Sequence, residues 1–209
     1  VVAHHTHLNS PLVKRLEALS REHGCTLYTT LLAAFQVFLH RYTGQTDILV
    51  GSPTSGRNQA DLADLVGYLV NPVTLRGQVS GDQAFVTFLQ QVRQTAVEAL
   101  AHQDYPFDLL VERLQPERNP GQSPIFQAMF LMHRAPMRYQ KALAALALGE
   151  AGVQLDLDGW HLESIALEKR GTQFDLTLVA AETGDDLGIA FEYNSDLFEP
   201  ETISRMLNH

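Results

Sequence analysis

Cysteine is almost missing from this sequence. Cys25 is the one thiol in 209 residues, so no internal disulfide can form and no second thiol exists for a CxxC metal or redox pair. That usage fits a reducing compartment, and a lone cysteine of this kind is expected in core packing. Charge is scarce as well, at 19% of residues, and it is biased: 15 Lys plus Arg against 24 Asp plus Glu give a formal net charge of −9. Nucleic acid and acidic membrane surfaces would be repelled, so neither is an expected partner. No apolar run approaches the roughly 20 residues that cross a bilayer. The first ten residues also lack a basic region followed by an apolar stretch, and the chain reads as soluble and cytoplasmic. Phosphate-binding loops are missing too, because Gly44, Gly51 and Gly56 are too scattered and neither a P-loop nor a GxGxxG run occurs. No repeat or linker divides the sequence, which predicts a single domain over residues 1–209.

What is present is a core. Hydrophobic residues make up 45% of the chain, as in soluble globular domains. Residues 2 to 9 alternate as an edge strand, and Ser10-Pro11 reads as a helix start running to Gly24. Tyr28, Leu31, Leu32, Phe35, Phe38, Leu39 and Tyr42 share one face of a second helix that ends at Gly44. Ile48 to Val50 form a strand expected to stop in a loop at Gly51-Ser52-Pro53, and Leu69 to Leu75 form another. A long helix follows Asp82, with Phe85, Phe88, Leu89, Val92, Ala96, Ala99 and Leu100 in period, and Pro106 opens a shorter one through Leu114. Strands are predicted at Ile125 to Met132, His161 to Leu167, Phe174 to Ala181 and Leu187 to Tyr193, with a helical excursion over 139–149 and a last helix from Pro200. Asp156 to Gly159 is turn-like, and Trp160 after it is expected as a packed edge. The sum is one layered α/β domain.

Nine histidines invite a search for catalysis, since imidazole is the usual base for acyl transfer at neutral pH. On a strand His5 and His7 share a face while His4 points away, so a pair at most could converge on a metal and no metal site is expected. His23 lies two residues from Cys25, yet sequence neighbours seldom set nucleophile and base in reach, and no Asp or Asn is arranged as their orienter. No catalytic residue is assigned.

Several segments are informative together. Leu27-Tyr28-Thr29-Thr30-Leu31-Leu32-Ala33-Ala34-Phe35 runs through Arg41-Tyr42-Thr43-Gly44-Gln45 into Asp47-Ile48-Leu49-Val50-Gly51-Ser52-Pro53 and Gly56-Arg57-Asn58. Val66-Gly67-Tyr68-Leu69-Val70-Asn71-Pro72 follows, with Arg76 after it. Then come His102-Gln103-Asp104-Tyr105-Pro106-Phe107-Asp108, the looser Arg118-Asn119-Pro120-Gly121-Gln122-Ser123-Pro124-Ile125-Phe126-Gln127, Gln173-Phe174-Asp175-Leu176-Thr177-Leu178 and Tyr193-Asn194-Ser195-Asp196-Leu197-Phe198. In this order they resemble the C-terminal lobe of the condensation domains of nonribosomal peptide synthetases. The departures are proline for threonine at position 72, Asp108 for the usual Glu, and a stretch from Met137 to Val153 longer than the family's.

The resemblance implies an α/β, chloramphenicol-acetyltransferase-like lobe with a mixed β-sheet packed against helices. It also implies half of an enzyme that joins a carrier-bound acyl or peptidyl thioester to a carrier-bound aminoacyl acceptor. The family's HHxxxDG motif belongs to the preceding lobe and is not in these residues; His4-His5-Thr6-His7-Leu8-Asn9-Ser10 imitates it only superficially. This lobe alone is therefore expected to be inactive and to supply one wall of the tunnel and a docking surface. No cofactor is expected to bind tightly, since phosphopantetheine arms arrive on carrier proteins. Expected partners are the N-terminal lobe, upstream and downstream carrier proteins and adjacent synthetase domains. A docking module without chemistry, or a lobe of an epimerisation or heterocyclisation domain, stays open.

On that reading Asn71, Thr29, Thr30, Ser52, Gln103 and Asp104 are the candidates for lining the tunnel or interlobe cleft, and Gly51, Arg57, Gly67, Arg76 and Pro106 are structural members of the motifs. Asn71 offers donor and acceptor together, yet an Asn before proline also serves to support backbone. Gln103 and Asp104 equally suit capping of the helix that Pro106 opens. Arg57 and Arg76 suit bidentate grips on carboxylates across loops, or contact with a carrier protein.

Overall fold

The computed structural model describes residues 2–117, 119, 121–134, 139–157, 159–165 and 172–209. Its first elements are β1 (Val2–Leu8), α1 (Ser10–Glu22), α2 (Leu27–Thr43), β2 (Asp47–Thr54), a 3-10 turn at Ala60–Leu62, β3 (Asn71–Gln78), α3 (Phe85–Ala101) and α4 (Phe107–Leu114). They are followed by β4 (Ala128–His133), α5 (Gln140–Leu148), β5 (Gln154–Leu157), β6 (Trp160–Glu163), β7 (Leu176–Glu182), β8 (Leu187–Tyr193) and α6 (Pro200–Asn208). These pack as two compact units, Ser20–Phe130 and the residues up to Leu19 together with Leu131–His209.

In the unit Ser20–Phe130, β2 pairs antiparallel with β3 over eight residues, Asp47 opposite Gln78 through Thr54 opposite Asn71, and parallel with β4 at Val50 and Gly51. The sheet is therefore mixed. α2 starts where the Thr26 hydroxyl accepts from the Thr29 amide and ends at Gly44 in the left-handed conformation. Its buried face of Leu31, Leu32, Phe35 and Gln36 is joined in the unit's core by Val50, Leu75, Leu89, Val92 and Phe130, each large side chain contributing about 1.5–3 kcal/mol on burial. α3 packs on β3 and on α2. Gln36 is a polar member of this core, its Nε2 donating to the Leu75 carbonyl at 3.1 Å.

The other unit stacks β1 against β8 and β8 against β7, both antiparallel. α5 lays Ala144 and Leu148 on Val179, Ala181 and Ala190, and α6 buries Ile203 and Met206. Small residues on both faces let helix and strand approach closely.

Several boundaries differ from the sequence expectation. α1 is capped by Asn9, whose side chain accepts from the Leu12 amide at 3.2 Å, one residue before the Ser10 expected to do so. β2 does not stop at Gly51 but continues through Pro53, because β3 supplies partners to Thr54. Pro53 stands opposite Pro72, a pair in which neither residue has an amide to exchange, so the ladder is unpaired there by chemistry. β3 begins at Asn71 rather than Leu69, and the backbone at Leu69 passes close to Gly56. A Cβ on Gly56 would lie 2.0 Å from the Leu69 carbonyl oxygen, and Gly56 has φ +63, so glycine is required there twice over. β5 and β6 form a hairpin where the sequence predicts one strand after a turn, and Trp160 on it is 73% exposed rather than packed. Cys25 is half-buried outside the core, its thiol facing the His23 carbonyl, and burial raises its pKa against the opposing charge of Arg93. Residues 166 and 167 of one expected strand, Asp158 of the turn-like stretch, Met137 and Arg138 of the stretch longer than the family's, and Arg118 and Pro120 of the looser motif lie outside the described residues.

Candidate functional site

Of the sequence candidates, Ser52, Asn71 and Gln103 come together where β2, β3 and the connection between α3 and α4 meet. A cavity of about 320 Å³ opens there, lined by Tyr28, Ser52, Val73, Leu75, Leu100 and Gln103 among others. Tyr28, expected as a plain core residue, instead donates its hydroxyl to Ser52 Oγ at 2.8 Å. Ser52 in turn donates to the Phe130 carbonyl at 2.9 Å. The Tyr28 ring rests against Phe130 with centroids 5.2 Å apart. Burial pushes the Tyr28 pKa up, the bond to Ser52 opposing, so its hydroxyl is neutral at physiological pH.

Asn71 is used entirely within the fold. Its Nδ2 donates to the carbonyls of Gln103 at 2.8 Å and Tyr105 at 2.9 Å, and its Oδ1 accepts from the Phe107 amide at 3.0 Å. One side chain thereby holds the turn before α4 and satisfies the first orphan amide of that helix. The capping expected of Gln103 and Asp104 is thus done by a residue 36 positions away, because Pro106 occupies the N-cap with no side chain to offer. Asp104 is instead held by Asn58, whose Nδ2 lies 2.8 and 2.9 Å from its two oxygens. Of the pair, Gln103 is the one on the cavity wall.

Thr29 and Thr30 lie on the buried face of α2. Thr30 Oγ1 is 2.7 Å from Ser20 Oγ, and Thr29 Oγ1 is 2.9 Å from Thr26 Oγ1. Both hydroxyls are spent on local bonds, and neither residue borders the cavity. Arg57 grips backbone rather than the carboxylate expected, donating to the carbonyls of Leu62, Leu65 and Gly67 at 2.7, 2.7 and 3.1 Å. The guanidinium fork matches three carbonyls converging in a bent loop. A Cβ on Gly67 would meet nothing within 4 Å; its visible role is the carbonyl it offers Arg57. Gly51 lacks a side chain for a clear reason, since a Cβ there would sit 2.1 Å from the ring of Phe126.

Arg76 does make the bidentate grip expected of it, on Asp47 at 2.8 and 2.7 Å. The hydrogen bond from Arg76 holds the Asp47 carboxyl below its ordinary value of 3.8, with slight burial opposing. A depressed folded pKa contributes stability that is complete above the unfolded value and is lost as pH falls through the folded one. Arg76→Gln is therefore expected to destabilise the protein slightly at neutral pH and not at all in acid below the carboxylate range. Urea unfolding of both proteins across that range is the check, and a gap that persists in acid would refute the sign.

Among the described residues no three His, Cys, Asp or Glu converge as for a metal ion, and no helix is long and apolar enough to cross a membrane. His4 Nδ1 faces Ser204 Oγ at 3.0 Å, and His7 lies 3.5 Å from Glu150.

The family model described as condensation domain matches residues 4–209. The chain belongs to the condensation-domain family. Among its relatives, a linear gramicidin synthase of Brevibacillus parabrevis is 45% identical over 194 residues, 93% of this chain and 2% of the relative. Bacitracin synthase 3 of Bacillus licheniformis is 37% identical over 93% of this chain and 3% of its own length. The chain thus spans a few per cent of the synthetases it matches. A four-domain nonribosomal peptide synthetase bound to AMP and glycine superposes with a TM-score of 0.87 at 22% identity, over 99% of this chain and 16% of that one. The first condensation domain of the calcium-dependent antibiotic synthetase, in complex with a substrate analogue, gives 0.75 at 19% identity over 99% of this chain and 42% of that one. These likenesses bear out the mixed α/β, chloramphenicol-acetyltransferase-like condensation fold. The signals that could have located the cavity in the sequence are weak: a tyrosine where phenylalanine would pack as well, and a serine one residue before a proline.

Proposed function

We propose that this chain is the C-terminal half of an amide-forming condensation domain and works only with the half that carries HHxxxDG. The observation that carries this is coverage. Nearly all of the chain superposes on 42% of a condensation domain's chain, and the segments of its 209 residues resemble, in order, the motifs of the family's C-terminal lobe, without the histidine motif. In the reaction, the acceptor's free amine attacks the donor thioester carbonyl, the C–N bond forms, the C–S bond breaks, and the phosphopantetheine thiol leaves with a proton. The base for that step lies outside these residues. This half supplies one wall of the tunnel and part of the surface for the two carrier proteins. It does so from a frame made rigid by the Asn71, Arg57 and Asn58–Asp104 bonds, as catalysis by positioning requires. Val66 and Tyr68, 99% and 87% exposed in the motif before Asn71, support a covering partner for that loop.

The test is an amide-forming assay with donor- and acceptor-loaded carrier proteins, comparing this chain alone with the same chain covalently preceded by an N-terminal lobe bearing HHxxxDG. Product from the longer polypeptide only is expected. Product from neither would overturn catalysis in favour of docking, and product from the short chain would mean that its own residues hold the active site.

A further inference from the structure

Hydrogen bonding around the cavity runs in one direction. The Phe130 carbonyl can only accept, so the proton of Ser52, 2.9 Å away, is committed to it. Ser52 Oγ then has only lone pairs to offer Tyr28, which must be the donor across their 2.8 Å contact. With its proton spent, the Tyr28 oxygen is left as an acceptor alone. Thr54, also on the wall, has given its proton to the Asn71 carbonyl at 2.8 Å. The other polar lining residues are Ser55, which is exposed, and Gln103, which is half-buried. Among the described residues no Asp, Glu, Lys or Arg borders the cavity, and Val73, Leu75, Ala96 and Leu100 make most of the remaining wall.

We propose that this cavity holds an uncharged apolar group about the size of one amino-acid residue, carrying an N–H or O–H donor that the Tyr28 hydroxyl accepts. Size argues for one residue: about 320 Å³ is at the small end of ligand sites. Charge is disfavoured because an ammonium would leave water for a wall with no carboxylate. A carbonyl or carboxylate set against Tyr28 and Thr54 would face their lone pairs with no proton between them. The raised pKa of Tyr28 agrees with a hydroxyl that stays neutral while it accepts. That the group belongs to a residue delivered on a carrier protein rests on the function proposed above; the preference for a donor does not.

The experiment is an NMR titration of the 209-residue chain with indole and with benzofuran, bicycles of nearly one shape that differ in an N–H against a ring oxygen. Indole is expected to shift the amide resonances of Ser52, Leu75 and Leu100 and to bind about three- to tenfold more tightly than benzofuran, the effect of one neutral hydrogen bond. Tyr28→Phe keeps the ring against Phe130 and should bring the two affinities together. Ser52→Ala releases the Tyr28 proton and should do the same by improving benzofuran. Equal affinities in the unaltered chain, a preference that survives Tyr28→Phe, or shifts confined to other residues would overturn the proposal. A failed amide assay with the indole preference intact removes the carrier-bound identity of the ligand alone. Amide formation without the preference removes the donor-seeking cavity alone.

Discussion

Asn71→Ala is expected to cost about 2–3 kcal/mol of unfolding free energy, the sum of three neutral hydrogen bonds at about 1 kcal/mol each, reduced where water can replace them. For a chain of this size that corresponds to a fall in Tm of about 4–12 °C. The bonds reach Gln103, Tyr105 and Phe107, so hydrogen-exchange protection should fall first at the start of α4. Asn71→Asp separates the parts of the clamp. It keeps the acceptor for the Phe107 amide, loses both donors and sets a negative charge against two carbonyls, so at neutral pH it should be no better than alanine. A loss below about 0.5 kcal/mol in Asn71→Ala would show that water takes over all three bonds. On the function proposed above, the same substitution in a chain joined to its HHxxxDG lobe should reduce amide formation, because Gln103 on the cavity wall is held by its backbone from Asn71.

Gly51→Ala should destabilise by about 3 kcal/mol, at the upper end of overpacking effects. The added Cβ would lie 2.1 Å from a ring carbon of Phe126. That ring is 1% exposed and packs on Phe107 at a centroid distance of 5.4 Å, so it has little room to retreat. Phe126→Leu should cost about 1–2 kcal/mol by itself. The double variant should then be more stable than the two losses predict by about 1 kcal/mol or more, the coupling expected of residues in contact. Urea denaturation of the four proteins gives the coupling directly. An additive cycle would mean that β2 shifts to admit the methyl group and that the ring is not what excludes it.

Gly51 and Asn71 differ in how far the sequence discloses their roles. Gly51 stands inside a recognisable segment, but nothing local names Phe126, 75 positions on, as the reason for its missing side chain. Asn71 is legible as a residue able to donate and accept at once, with cleft and backbone roles both open. The structure uses all three of its bonds within the fold. The role of Arg76 is legible because its partner lies on the neighbouring strand, at the reach a long side chain commonly bridges. That of Arg57 is not, since the carbonyls it binds converge only after the loop bends at Gly56. The hydroxyls of Thr29 and Thr30 suggest a tunnel lining, yet they are satisfied inside the helix's own neighbourhood by Thr26 and Ser20.

By itself the sequence determined the helices of α2, α3 and α6, the strand character of β1 and β8, the mixed α/β class and the family. These follow from apolar period, caps and motif order, which act over a few residues at a time or survive as a linear pattern. Only the tertiary structure decided that β2 runs on through Pro53, that Asn71 caps a helix 36 positions away, and that Tyr28, Ser52 and Phe130 form a one-way line of hydrogen bonds beside a cavity. Partners so far apart in the chain are chosen by packing and by the need to satisfy each buried donor and acceptor, and no local preference encodes that choice.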